Sequence, residues 1–183
     1  MKNFATSIPG VSVVECDLLE DARGSFCRTF CDTQLAGVLA GRTIRQINVS
    51  RTRAIGAIRG LHFQNPPHAE MKLVRCLRGR VWDVALDLRQ GSPTFLRWHG
   101  EELSEKNSRM MVIPEGCAHG FQVLEPDSEL LYLHTAPYMR AAEGGVRYDD
   151  TAIGITWPLT ITDISERDRA HPLVEPAFKG IPA

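Results

Sequence analysis

The chain has 183 residues, 43% hydrophobic and 23% charged, which is the composition of an ordinary globular protein and argues against disorder or a fibre. Lys plus Arg number 21 against 22 Asp plus Glu, a net charge of -1, so a broad basic face for nucleic acid or an anionic membrane is not expected. No apolar run approaches the roughly 18 residues of a membrane helix, and residues 1–5 lack the apolar stretch of a secretory signal. One domain over residues 1–183 is expected.

In chain order, residues 11–18 read as a first strand and residues 20–24 as a turn. Residues 26–30 alternate, and residues 32–39 fit one short helix with Asp32 as its cap and Leu35, Val38 and Leu39 on one face. Residues 44–50 resume extended structure. Residues 72–77 and 80–88 are strands separated by the turn Arg78-Gly79. In the second, Trp82, Val84, Leu86 and Leu88 read as the core face. Residues 94–103, 110–113, 119–124 and 129–135 are further strands. Eight or more short strands with one or two helices predict a sandwich or barrel with a concave site. The Pro-rich tail, residues 172–183, is expected to pack on the surface or lie partly loose.

The five cysteines, Cys16, Cys27, Cys31, Cys76 and Cys117, are odd in number and fit no disulfide framework. Cys76 reads as a buried thiol acting as a small hydrophobe. A reduced, cytoplasmic protein follows.

Three segments carry candidate chemistry. In Arg59-Gly60-Leu61-His62-Phe63-Gln64, strict alternation puts Arg59, Leu61 and Phe63 on one face and Gly60, His62 and Gln64 on the other. His62 is either a core histidine or a base. Pro114-Glu115-Gly116-Cys117-Ala118-His119-Gly120 sets His119 after a turn, buried or at a ligand. In the third, Leu130, Tyr132 and His134 share a face, where Tyr132 is a core element or a general acid. Arg23, Arg59 and Lys72 are cations that can meet in a pocket, with Arg59 suited to phosphate. Arg75 and Arg78 are expected on a solvated face. A metal set would draw on His62, Glu70 and His119 and depend on Gln64, so no metal is expected. Nucleotide-binding glycine loops and a serine elbow are missing.

Taken together, several pieces in order resemble the dTDP-4-dehydrorhamnose 3,5-epimerase family over residues 10–174. They include Asp21-Ala22-Arg23-Gly24-Ser25-Phe26, Gln46-Ile47-Asn48-Val49-Ser50, Arg59-Gly60-Leu61-His62-Phe63-Gln64 and Lys72-Leu73-Val74-Arg75-Cys76. Later pieces are Gly91-Ser92-Pro93-Thr94-Phe95, Ala118-His119-Gly120-Phe121, Gly154-Ile155-Thr156-Trp157-Pro158 and Ser165-Glu166-Arg167-Asp168. The resemblance implies an all-β cupin-type jelly roll with a few short peripheral helices. It also implies a homodimer in which an N-terminal strand crosses the interface. The implied substrate is a nucleotide-linked 4-keto-6-deoxyhexose, inverted at carbon 3, carbon 5 or both without metal or redox cofactor. By the same resemblance His62 is the base, Asp168 its carboxylate, Tyr132 the acid on the opposite face and Lys72 the cation near the enolate oxygen. Arg23, Phe26, Gln46, Asn48, Arg59, His119 and Tyr138 line the substrate site.

The chain departs from the family pattern at Arg28, at Ala69-Glu70-Met71-Lys72, at Tyr132-Leu133-His134 and at Tyr138-Met139. These changes surround the implied pocket and leave its proton-transfer groups in place. A single inversion, another sugar or another nucleotide therefore stand as alternatives. Three further readings compete: a ketosugar isomerase using one face for both proton transfers, a non-catalytic sugar-nucleotide binding protein, and a metal-dependent cupin enzyme.

Overall fold

A computed structural model describes residues 1–182. The strands are β1 (Lys2–Ala5), β2 (Ser12–Glu15), β3 (Leu18–Asp21), β4 (Gly24–Cys27), β5 (Gln46–Thr52), β6 (Ile58–Gln64) and β7 (Lys72–Arg78). They continue as β8 (Arg80–Asp87), β9 (Trp98–Ser104), β10 (Arg109–Ile113), β11 (Cys117–Val123), β12 (Ser128–His134) and β13 (Glu143–Gly145). Two four-residue helices, α1 (Ala36–Leu39) and α2 (Glu166–Arg169), and a single 3-10 turn at Arg140–Ala142 complete the described elements. No described helix is long and apolar enough to cross a membrane.

Two antiparallel sheets face each other, ordered β1-β2-β10-β7-β12-β5 and β13-β6-β11-β8-β9. This is the all-β double-stranded β-helix with short peripheral helices. Consecutive strands β7 and β8 lie in different sheets. The turn at Gly79, where φ is +74° and a side chain would collide with Ser128, therefore carries the chain from one sheet to the other.

Three apolar layers hold the sheets. Val74, Cys76, Val81, Ala85, Met111, Phe121 and Leu130 fill one end of the space between them. Leu35 and Leu39 cover the outer face of the six-stranded sheet against Leu73, Met110 and Leu133. On the outer face of the other sheet, Leu61, Val84, Leu86 and Leu88 are buried beneath Ile153, Trp157, Val174, Phe178 and Ile181. The face of β8 expected to be the core is this outer one. Its other face is inside the sandwich and buried too, because the C-terminal segment supplies a second cover. That segment is anchored by a parallel bridge from Ile181 to Arg89 and by the Val174 N–H donating to Asp150 Oδ2 at 2.6 Å.

Local differences from the expected elements have simple causes. The strand expected over residues 11–18 breaks between β2 and β3. The helix shortens to α1, since Asp32 Oδ1 accepts from the adjacent Thr33 N–H and Leu35 starts the helix without a side-chain cap. Residues 94–97 form turns held by Asp87, whose carboxylate accepts from Arg89, Ser92 and Thr94. Burial pushes that carboxyl up, but these donors outweigh it and bring it down to about 2. Arg75, expected to be solvated, is instead buried, donating to the Ser108 carbonyl at 3.4 Å and to Cys27 Sγ at 3.4 Å.

Candidate active site

The open end of the sandwich is a cavity of about 860 Å³, within the range of small-molecule sites. Its walls come from both sheets. Strand β5 contributes Gln46, Asn48 and Ser50 by simple alternation, with Ile47 turned outward and exposed and Val49 exposed where it also borders the cavity. Strand β12 contributes Tyr132 and His134, and β7 contributes Lys72 from its first position. The opposite wall is β6 and β11, carrying Arg59, His62, His119 and Phe121.

Strict alternation cannot place both Arg59 and His62 in the cavity. A β-bulge does. Along β11, His119 and Phe121 are two residues apart, but their partners on β6, His62 and Arg59, are three apart. The extra residue falls at Gly60-Leu61, with Gly60 at φ +116°. A side chain at Gly60 would come within 2.5 Å of Gly120 Cα, and one at Gly120 within 2.8 Å of the Arg59 carbonyl. The pair of glycines thus lets two backbones touch where the strand is re-phased.

The bulge also builds the histidine's partner. The Gly60 N–H donates to Asp168 Oδ2 at 3.1 Å, and Asp168 Oδ1 lies 2.8 Å from His62 Nε2. Asp168 stands in the first turn of α2, where the Ser165 hydroxyl accepts from its N–H at 3.1 Å. Burial raises the Asp168 carboxyl, but the bond and charge of His62 and the Gly60 N–H outweigh it and hold it below the usual carboxylate range. His62 itself keeps 29% of its side chain exposed while Asp168 keeps 5%. A shielded carboxylate therefore orients an accessible imidazole, the arrangement a general base requires.

Across the cavity, Tyr132 packs at its ring edge against His119, centroids 5.9 Å apart, and stacks on His134 at 6.0 Å. Its hydroxyl meets Ser50 Oγ at 3.1 Å. Burial pushes the phenol well above its ordinary range, so it is neutral and able to donate. Lys72 Nζ donates to the His62 carbonyl at 3.1 Å and lies 3.4 Å from Glu70. Glu70 also meets His134 Nδ1 at 2.8 Å. Burial raises the Glu70 carboxyl, but His134 and Lys72 hold it lower than usual.

The remaining sequence candidates divide in two. Gln46, Asn48, Arg59, His119 and Tyr138 all line the cavity. Gln46 Oε1 accepts from the Tyr138 N–H at 2.9 Å, and Arg59 Nε donates to Thr52 at 2.9 Å. Arg23 and Phe26 do not reach the cavity of their own chain. They sit on the β3–β4 hairpin, a two-stranded sheet apart from both large ones, where Arg23 pairs with Asp21 and Phe26 is exposed.

Several residues escaped the sequence reading. Ser50 carried a usable signal, the alternation it shares with Gln46 and Asn48. Asp83 on β8 pairs with His119 Nε2 at 2.7 Å. Glu143 on β13 accepts from the Tyr138 hydroxyl at 2.9 Å and pairs with Arg167. His171 stands edge-on to His62, ring centroids 5.4 Å apart. Among the described residues, His62, Asp168 and His171 bring potential metal-ligating atoms within 4.8 Å of one another, and two of the three are the hydrogen-bonded His62–Asp168 pair.

A family model described as dTDP-4-dehydrorhamnose 3,5-epimerase matches residues 5–175. A dTDP-4-dehydrorhamnose 3,5-epimerase of Salmonella typhimurium is 43% identical over 176 residues, covering 94% of this chain and 95% of the relative. The crystal structure of the corresponding Bacillus anthracis protein, with TDP and PPi bound, superposes with a TM-score of 0.91 at 36% identity, covering 94% of this chain and 99% of that one. A 3'-monoepimerase from Streptomyces bikiniensis, in complex with dTDP-quinovose, gives 0.87 at 31% identity, covering 93% and 86%.

Proposed function

From the premise that the chain belongs to the dTDP-4-dehydrorhamnose 3,5-epimerase family and is a sugar-nucleotide epimerase, we propose how its residues act. The substrate is a dTDP-linked 4-keto-6-deoxyhexose, inverted at carbon 3 and carbon 5 through an enolate. The observation that supports this best is that His62 on β6 and Tyr132 on β12 open into one cavity from opposite sheets. A sugar ring between them has a base on one side and an acid on the other. A single base returns its proton to the face it left, so inversion needs that second group.

His62 removes the proton beside the ketone, and Asp168 fixes its tautomer and stabilises the imidazolium. Lys72 offsets the negative charge that develops on the ketone oxygen. Tyr132 delivers its proton to the opposite face. Arg59, at the cavity rim, suits the diphosphate, whose binding energy is remote from the reacting carbons. Gln46, Asn48, His119 and Tyr138 position the sugar nucleotide.

Arg23 and Phe26 join the site if two copies pair. Leu19 at 64%, Phe26 at 64%, Ile47 at 61% and Val49 at 59% are exposed on the hairpin and on β5, the edge strand of its sheet. An exposed apolar strip on an unpaired edge favours a second copy of this chain. Sedimentation should give a dimer, and Ile47→Asp, which lies outside the cavity lining, should give monomers with weakened substrate binding.

The deciding experiment incubates the enzyme with 4-keto-6-deoxy sugar nucleotides in deuterated water and reads mass and proton spectra. Deuterium at carbons 3 and 5 with inverted configuration is expected, before and after chelation. Tyr132→Phe should exchange without inverting. Absence of exchange in the wild type defeats the reading. Inversion confined to carbon 3 supports the alternative raised by similarity to the 3'-monoepimerase.

A further inference from the structure

We propose that Ser50 is the proton relay that reloads Tyr132 after each inversion. The inference rests on the epimerase reading and concerns a need that reading creates. When His62 takes a proton from one face and Tyr132 gives one to the other, the imidazole ends with one proton too many and the phenol with one too few. Neither the second carbon nor the next substrate can be inverted until both are reset.

His62 resets directly, because its ring is part-exposed to the cavity and can give its proton to water. Tyr132 has a narrower route. Burial makes its phenolate costly, so the charge cannot simply persist. The two histidines beside its ring are committed elsewhere. His119 Nε2 faces Asp83 at 2.7 Å, while His134 faces Glu70 through Nδ1 at 2.8 Å and Asn48 through Nε2 at 3.3 Å. Among the described residues, the hydrogen-bonding group at the Tyr132 hydroxyl is Ser50 Oγ, at 3.1 Å. Ser50, like Tyr132, is half-buried and lines the cavity, so its hydroxyl is the phenol's hydrogen-bonded neighbour on the cavity wall.

The step balances. The phenolate oxygen takes the Ser50 hydroxyl proton as the Ser50 oxygen takes one from water, so no free alkoxide forms. The hydroxide left behind is neutralised by the proton that His62 releases. Ser50 thus acts through Tyr132 and makes no demand on the sugar itself.

The test is rapid-quench kinetics with substrate in excess over enzyme. Ser50→Ala should give a burst of about one inversion per site, then a steady rate lowered about tenfold or more, with KM lowered in step and kcat/KM changed less than about twofold. Product released after two inversions should fall relative to product inverted once. Ser50→Thr keeps a hydroxyl at the same place and should restore the steady rate. A Ser50→Ala steady rate within about twofold of wild type overturns the relay. So does an equal fall of burst and steady phases, or a Ser50→Thr as slow as Ser50→Ala. If wild-type enzyme exchanges no deuterium at all, the epimerase reading itself has failed, which is a separate and recognisable result.

Discussion

Two histidine–aspartate pairs are built on neighbouring strands of the five-stranded sheet, and they have opposite characters. His62 and His119 are register partners across β6 and β11, and their Nε2 atoms meet carboxylates at 2.8 Å and 2.7 Å. Beyond that the pairs diverge. Asp168 receives a second bond from the Gly60 N–H, is held below its usual range and backs an imidazole that reaches the cavity. Asp83 is fully enclosed, has one buried oxygen without a partner, and is raised by burial against the pull of His119. A histidine beside a carboxylate is therefore not a base by composition. Access for the imidazole and full satisfaction of the carboxylate separate the pair proposed to act as the base from the one enclosed in the wall.

That contrast is open to direct attack. His62→Ala should lower deuterium exchange at least about 10³-fold, equivalent to about 4 kcal/mol of barrier, with little change in denaturation midpoint. His119→Ala should do the reverse, costing about 3 kcal/mol of stability in urea titration by stranding Asp83, with a far smaller loss of exchange. Equal effects of the two substitutions on exchange would erase the distinction. Asp168→Asn should retain the Gly60 contact and reduce exchange about 100-fold, through loss of imidazolium stabilisation.

The smallest effect sharpens the rule about satisfaction at a third aspartate, remote from the cavity. Asp87 is lowered from 3.8 to about 2 by Arg89, Ser92 and Thr94. A depressed carboxyl stabilises the fold fully above pH 3.8 and loses that contribution as pH falls through 2. Asp87→Asn should cost about 2 kcal/mol at neutral pH and flatten the acid limb of stability over that interval.

Much of this was legible in the residues. The alternation grouped Leu130, Tyr132 and His134 on one face without saying which way it pointed, and the strand count predicted a sandwich or barrel. The ordered motifs pointed to His62, Lys72 and Asp168. What stayed hidden depends on partners distant in sequence. Asp83 looked like the polar half of an amphipathic strand because the cover over Val84 and Leu86 comes from residues beyond 146. Arg75 looked solvated because its acceptors, Ser108 and Cys27, are 33 and 48 residues away. The period of two failed at Arg59, since an inserted residue changes phase without changing residue type.

That re-phasing has a consequence for anyone redesigning the protein. The glycines at 60 and 120 face each other so closely that neither tolerates a methyl while the other's backbone stays put. They form a single mutational unit on two strands. A graft of the β6 segment into another barrel, without its companion from β11, would carry the right letters yet aim the guanidinium and the imidazole apart.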